Sequence, residues 1–171
     1  MRGVTKLGVF AYLLGASVVA LDQASKFWIL NVFHLPAKAS VEVAGPFHLS
    51  MVWNRGVSFG LFRAEVDLTR WALAVFSIVV SILLAVWVRK AHRGLSATAL
   101  GLVMGGAVGN VIDRIRFGAV ADFLDFSRLW FPWIFNLADA AITCGVALLL
   151  LDMLLQERQA APARSPRRDA A

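Results

Sequence analysis

At 171 residues the chain is one domain long, and 59% of it is hydrophobic, with a mean hydropathy of +0.70. A domain this small has too little interior to hide so much apolar surface, so a wholly water-soluble fold is excluded and lipid is the natural solvent for the surplus. The net charge of +6 does not point to nucleic acid either, because the cations cap apolar runs and form no patch with interleaved aromatics.

Arg2 and Lys6 precede an apolar run from Leu7 to Leu21, which continues through Asp22-Gln-Ala-Ser-Lys26 into Phe27-Trp-Ile-Leu30. No small-x-small site of the kind that ends a signal peptide follows it. A helix over 7–30 is long enough to span the roughly 30 Å of hydrocarbon at about 1.5 Å per residue. It places Asp22 and Lys26 four apart on one face, acid first. That pair either snorkels to the interface as a helix-end ion pair or lines a site.

Residues 31–70 differ in kind. Pro36, Gly45, Pro46, Gly56 and Gly60 punctuate short, partly alternating segments, which predict a small β-rich lobe outside the membrane. Trp71 to Val88 is an uncharged second span, closed by the basic loop that holds Arg89, Lys90, His92 and Arg93. A third span is expected over 95–112, with Gly101, Gly105 and Gly109 on one face as a packing seam. Residues 115–135 are expected to return along the interface, with Trp130 and Trp133 at headgroup level. A fourth span over 137–155 completes an integral membrane domain of residues 1–156, and 157–171 read as a disordered cytoplasmic tail. The expected class is an all-α membrane fold with four transmembrane helices and a small extracytoplasmic β-rich lobe. Four spans put both termini on one side, and the cations concentrated on its short segments mark that side as cytoplasmic.

The chemistry lies in 105–139, where Asp113, Asp122, Asp125 and Asp139 stand in strongly apolar sequence. An ionisable side chain at mid-membrane costs roughly 3 kcal/mol even on lenient scales, so each needs a use or a partner. Asp122 and Asp139 come from a loop and a helix start on the same outer side. Two carboxylates held close share one proton, so one can act as base on water while the other polarises a carbonyl. On spacing alone a peptidase and a proton relay both remain open. Asp113, beside Asn110 and Arg114, is expected to hold that arginine, and Asp125 to be solvated. Ser25 and Lys26 are adjacent on a helix and do not face each other, which weakens a Ser–Lys hydrolase. Cys144 reads as a small buried hydrophobe. His34, His48 and His92 are scattered without metal-ligand spacing, so neither metal nor other cofactor is expected.

Five blocks occur in order: Asp22-Gln-Ala-Ser-Lys26, Asn54-Arg-Gly56-Val-Ser-Phe59-Gly60, Gly105-Gly-Ala-Val-Gly109-Asn110-Val-Ile-Asp113-Arg114, Val120-Ala-Asp122-Phe123 and Phe135-Asn136-Leu-Ala-Asp139. Together with the four-span layout they resemble the bacterial lipoprotein signal peptidase family, the type II signal peptidases. Ala121 stands where that family commonly has a branched aliphatic residue. The resemblance implies a membrane aspartic endopeptidase that cleaves prolipoproteins before a diacylglyceryl-modified cysteine. It implies Asp122 and Asp139 as the catalytic dyad, and Asn54, Asn110, Arg114 and Asn136 as residues that line the site and hold substrate or order the dyad. Asp22 and Lys26 match a supporting motif. The implied partners are lipid-modified prolipoproteins and membrane lipid, and a monomer suffices for the chemistry.

Overall fold

The computed structural model of the protein describes residues 3–56, 66–129 and 133–160. Five helices and four strands follow in chain order: α1 (Lys6–Phe27), a short α2 (Leu35–Lys38), β1 (Ser40–Ala44), β2 (Phe47–Asn54), α3 (Val66–Val88), α4 (Gly94–Phe117), β3 (Val120–Asp125), β4 (Ile134–Phe135) and α5 (Leu137–Ala160). Helix α1 runs on through one π turn, Trp28–Val32, so that its apolar rod extends over Lys6–Val32. Among the described residues, four helices are long and apolar enough to cross a membrane.

Helix α4 is the centre of the bundle: 61% of its most apolar stretch is buried, against 17–28% for the other three spans. The reason is its small residues. A Cβ placed on Gly105 would lie 2.6 Å from the carbonyl oxygen of Gly15, so α1 and α4 can touch backbone to backbone only because both positions are glycine. The outer helices leave residues such as Phe76 and Leu83 exposed, as a face turned to lipid requires.

One end of the bundle is tied by polar contacts. Thr5 caps α1 through Gly8 N–H at 3.0 Å, and its hydroxyl donates to the carbonyl of Ala91 between α3 and α4. Nearby, Arg93 pairs with Asp152 of α5 at 2.8 Å, so the start of α1, the α3–α4 turn and the end of α5 share this end. At the other end sits an antiparallel sheet in the order β1-β2-β3-β4. A small core of Ile29, Leu35 and Phe123 joins it to the end of α1.

The β-rich lobe expected over 31–70 is therefore built from two stretches of chain. Residues 115–135 do not simply run along the interface: they extend α4 to Phe117 and then supply β3 and β4. Strand β3 is buried on both faces, apart from partial exposure at Leu124, so it lacks the polar–apolar alternation by which a half-buried strand is read. Trp130, Phe59, Gly60 and residues 161–171 of the expected tail lie outside the described residues.

Candidate active site

Asp122 is delivered by the centre of β3, opposite Val52 of β2. An irregularity in register between Leu49 and Val52 re-aims the end of β2, and Asn54 reaches Asp122 from there. The Asn54 amide is fixed from both ends: its Oδ1 accepts Gly56 N–H at 3.0 Å, and its Nδ2 donates to Asp122 Oδ2 at 3.1 Å.

Asp139 is delivered by the first turn of α5. Asn136 precedes that helix, and its Oδ1 accepts the N–H of Asp139 at 2.9 Å while the Asp139 carboxylate accepts the N–H of Asn136 at 3.3 Å. This is a reciprocal capping box, which satisfies helix-end donors and locks the Asp139 rotamer. The remaining Asn136 donor, Nδ2, gives a 2.7 Å hydrogen bond to Asp122 Oδ1. One amide thus caps the helix that carries one aspartate and grips the other.

Asn110 of α4 supplies the third wall. Its Nδ2 donates to Asp139 Oδ1 at 2.7 Å, and its Oδ1 accepts from Asn136 Nδ2 at 3.3 Å. Every oxygen of the two carboxylates therefore has a donor from a short, neutral or backbone group. Arg114 lies one turn further along α4, and its charge faces Asp139 most strongly, then Asp122, then Asp113.

Burial and the neighbouring charge of Asp139 push the Asp122 carboxyl up to about 7, against the opposing hydrogen bonds of Asn54 and Asn136 and the charge of Lys26. Asp122 is 2% exposed, whereas Asp139 is half-buried. A pair of carboxyls so arranged holds one proton near neutrality and can present both an acid and a base to one bound group.

Behind the pair lies a buried ion cluster. Lys26 is 2% exposed and places its Nζ 2.8 Å from Asp22 and 2.7 Å from Asp113, with both carboxylates wholly buried. Snorkelling of this pair to the interface is thereby overturned: the ammonium points inward, where two carboxylates replace its water. Asp113 does lend its charge to Arg114, as expected from their places on α4, but it has other partners as well. The short contacts of Asp113 run to Lys26, to Gln23 Nε2 at 3.0 Å and to the N–H of Ala121 at 3.1 Å. Nor is Asp125 solvated. It is 8% exposed and accepts from Ser50 Oγ at 2.6 Å and Ser127 N–H at 2.9 Å. Burial pushes its carboxyl up, but those hydrogen bonds outweigh it and hold the group below the ordinary carboxylate range.

Ser25 donates its hydroxyl to the Asp22 carbonyl at 2.7 Å and has no path to the ammonium of Lys26, which two carboxylates already occupy. Cys144, expected to be buried, is exposed on α5, because that stretch of the helix faces outward. Among the described residues no group of three His, Cys, Asp or Glu side chains has the geometry of a metal site. Three participants were not singled out by the sequence reading. Gln23 joins Asp22 and Asp113, and the backbone N–H groups of Ala121 and Ala138 are held by Asp113 and Asp22. Gln23 lies inside a quoted block and was legible, whereas backbone donors leave no mark in a sequence.

A family profile described as signal peptidase (SPase) II matches residues 14–155. The lipoprotein signal peptidase of Caulobacter vibrioides is 54% identical over 155 residues, covering 90% of this chain and 92% of that protein. That of Beijerinckia indica is 46% identical over 146 residues, covering 85% and 87%. A bacterial membrane enzyme solved by the in meso method at 2.3 Å superposes with a TM-score of 0.77 at 25% identity over 96% of this chain and 99% of that one. A second, solved by the same method at 1.9 Å, gives 0.74 at 27% identity, over 90% and 97%. With Asp22, Asp113, Asp122 and Asp139 all inside the matched region, the chain belongs to the signal peptidase II family and is an aspartic peptidase.

Proposed function

We propose that the protein removes the signal peptide from diacylglyceryl-modified prolipoproteins in the bacterial inner membrane, cleaving before the lipidated cysteine, with Asp122 and Asp139 as its catalytic dyad. The observation that carries this reading is the pairing itself. Two carboxyls from different elements, β3 and α5, are joined through Asn136 at the sheet end of an apolar bundle and flanked by Asn54 and Asn110. The names of the matched relatives support the substrate class.

The division of labour follows from the surroundings. Asp122, raised to about 7 by burial and by Asp139, carries the shared proton. Asp139 sits at the positive end of α5 and takes hydrogen bonds from Asn110 and the Asn136 N–H, which suits the anion. Asp139 draws a proton from water as its oxygen attacks the scissile carbonyl carbon, and Asp122 gives its proton to the carbonyl oxygen. In the collapse, the carbonyl reforms, its hydroxyl proton returns to Asp122, and Asp139 protonates the departing amide nitrogen as the C–N bond breaks. Arg114 offsets the dyad's charge, and Asn54, Asn110 and Asn136 hold the peptide backbone or the dyad. The end with the sheet faces outward and both termini face the cytoplasm, so the scissile bond meets the dyad at the interface while the acyl chains stay in lipid. Lys6, Arg89, Lys90 and Arg93 at the opposite end support that orientation.

The test is mass spectrometry of a lipidated prolipoprotein incubated with purified protein in detergent. A product that begins at the lipidated cysteine is expected, with no cleavage of the unlipidated precursor. Equal cleavage of both precursors would remove lipid recognition from the proposal.

A further inference from the structure

The buried cluster behind the dyad has a geometry that a helix-packing role does not require. Asp22 and Asp113 come from different helices, and one ammonium, Lys26 Nζ, holds them at 2.8 and 2.7 Å. Each carboxylate also accepts a backbone donor, Asp22 with its other oxygen and Asp113 with the same oxygen that faces the ammonium. Asp22 Oδ1 accepts the N–H of Ala138 at 3.0 Å, although Ala138 lies 116 residues away in sequence. Asp113 Oδ2 accepts the N–H of Ala121 at 3.1 Å. Those two donors belong to the residues that immediately precede Asp139 and Asp122. The same ammonium lies 3.5 Å from Asn110 Oδ1, and the Nδ2 of that amide donates to Asp139 at 2.7 Å.

Resting on the dyad reading above, we propose that Lys26 is a positioning residue for peptide hydrolysis: through Asp22 and Asp113 it fixes the backbone ahead of both aspartates, and through Asn110 it presents its charge to Asp139. A buried ammonium between two carboxylates is costly to desolvate and contributes little net stability in general, so its value here lies in placement. Placement to within about half an ångström is what a shared-proton pair needs. Ala121 and Ala138 are both wholly or almost wholly buried, so neither N–H can turn to water if its acceptor moves.

The charges that act on the dyad are Lys26 from α1 and Arg114 from α4, with Asp22 of α1 and Asp113 of α4 paired to that lysine, while Asn54 from β2 is neutral. Removal of the ammonium therefore makes the surroundings more negative, and removal of Asp113 makes them less so. The experiment compares Lys26→Met and Asp113→Asn for kcat, KM and the pH profile of kcat/KM on a lipidated prolipopeptide, with thermal unfolding alongside. Both variants should lose about 10- to 100-fold in kcat with KM within about twofold. The alkaline limb of the profile should move to higher pH in Lys26→Met and to lower pH in Asp113→Asn. If Lys26→Met does not fold, the downward shift in Asp113→Asn, which keeps an acceptor for Ala121, decides alone. Folded variants with wild-type kcat and an unmoved limb would reduce the cluster to packing and overturn the proposal. The dyad reading falls on a different result, cleavage by Asp122→Asn or Asp139→Asn, so the two failures are distinguishable.

Discussion

Asp122 is the residue on which the most follows from its surroundings. Replacing either Asp122 or Asp139 by Asn keeps the shape but leaves the pair unable to share and pass a proton, so each single variant should lose cleavage entirely. Because the two work as a unit, the double variant should be no worse than either alone, which single-turnover assays of all three would show. The raised carboxyl also bears on stability. Between the unfolded value near 4 and the folded value of about 7, native Asp122 keeps a proton that the unfolded chain has lost. Its favourable contribution is therefore present at low pH and lost as pH rises through about 7, by at most about 4 kcal/mol for a shift of this size. Thermal unfolding in detergent should show the wild type more stable at pH 5 than at pH 8, with most of that difference absent in Asp122→Asn. Asp125 is hydrogen-bonded to Ser50 and Ser127, away from the proposed dyad's own bonds, and is expected to serve the fold. Asp125→Ala strands the Ser127 N–H and leaves the Ser50 hydroxyl with Ser40 alone, and should cost about 1–3 kcal/mol of stability while kcat stays near wild type.

The elements act through close approach. Gly105→Leu would force α1 away from α4, since even a Cβ meets the Gly15 carbonyl at 2.6 Å. Overpacking of this kind typically costs about 1–3 kcal/mol, and here it also carries Asp22 and Lys26 away from Asp113. Loss of activity out of proportion to the fall in melting temperature is expected, read from both measurements on one preparation. The helices were legible because uncharged runs of about 20 residues have one meaning in a bilayer. The sheet was half legible. Strand β2 shows Gly/Pro boundaries and partial alternation, whereas β3, buried on nearly all sides, shows none. The two aspartates stood out as charges in apolar sequence, but the partner of Asp113 did not. Lys26 is 87 residues away, and a neighbour in sequence, Arg114, offered a nearer explanation.

For the whole molecule, the polar ties at one end and the sheet at the other make orientation a single two-way choice. In a Cys144→Ser background, Glu42→Cys in β1 should react with a membrane-impermeant maleimide added outside spheroplasts, and Lys6→Cys should react only after lysis. The reverse pattern would turn the molecule over and remove the dyad from the outer face. Asn136 and Asp139 open the last span, while Asp22 and Lys26 lie in the first, and the hydrogen bond from Asn136 to Asp122 closes only when α5 has docked. A ribosome delivers these parts in order, so a nascent or prematurely terminated chain that lacks α5 holds Asp122 without its partner. On the proposed dyad such a chain would be inert, and hydrolytic competence would arrive only with the final span.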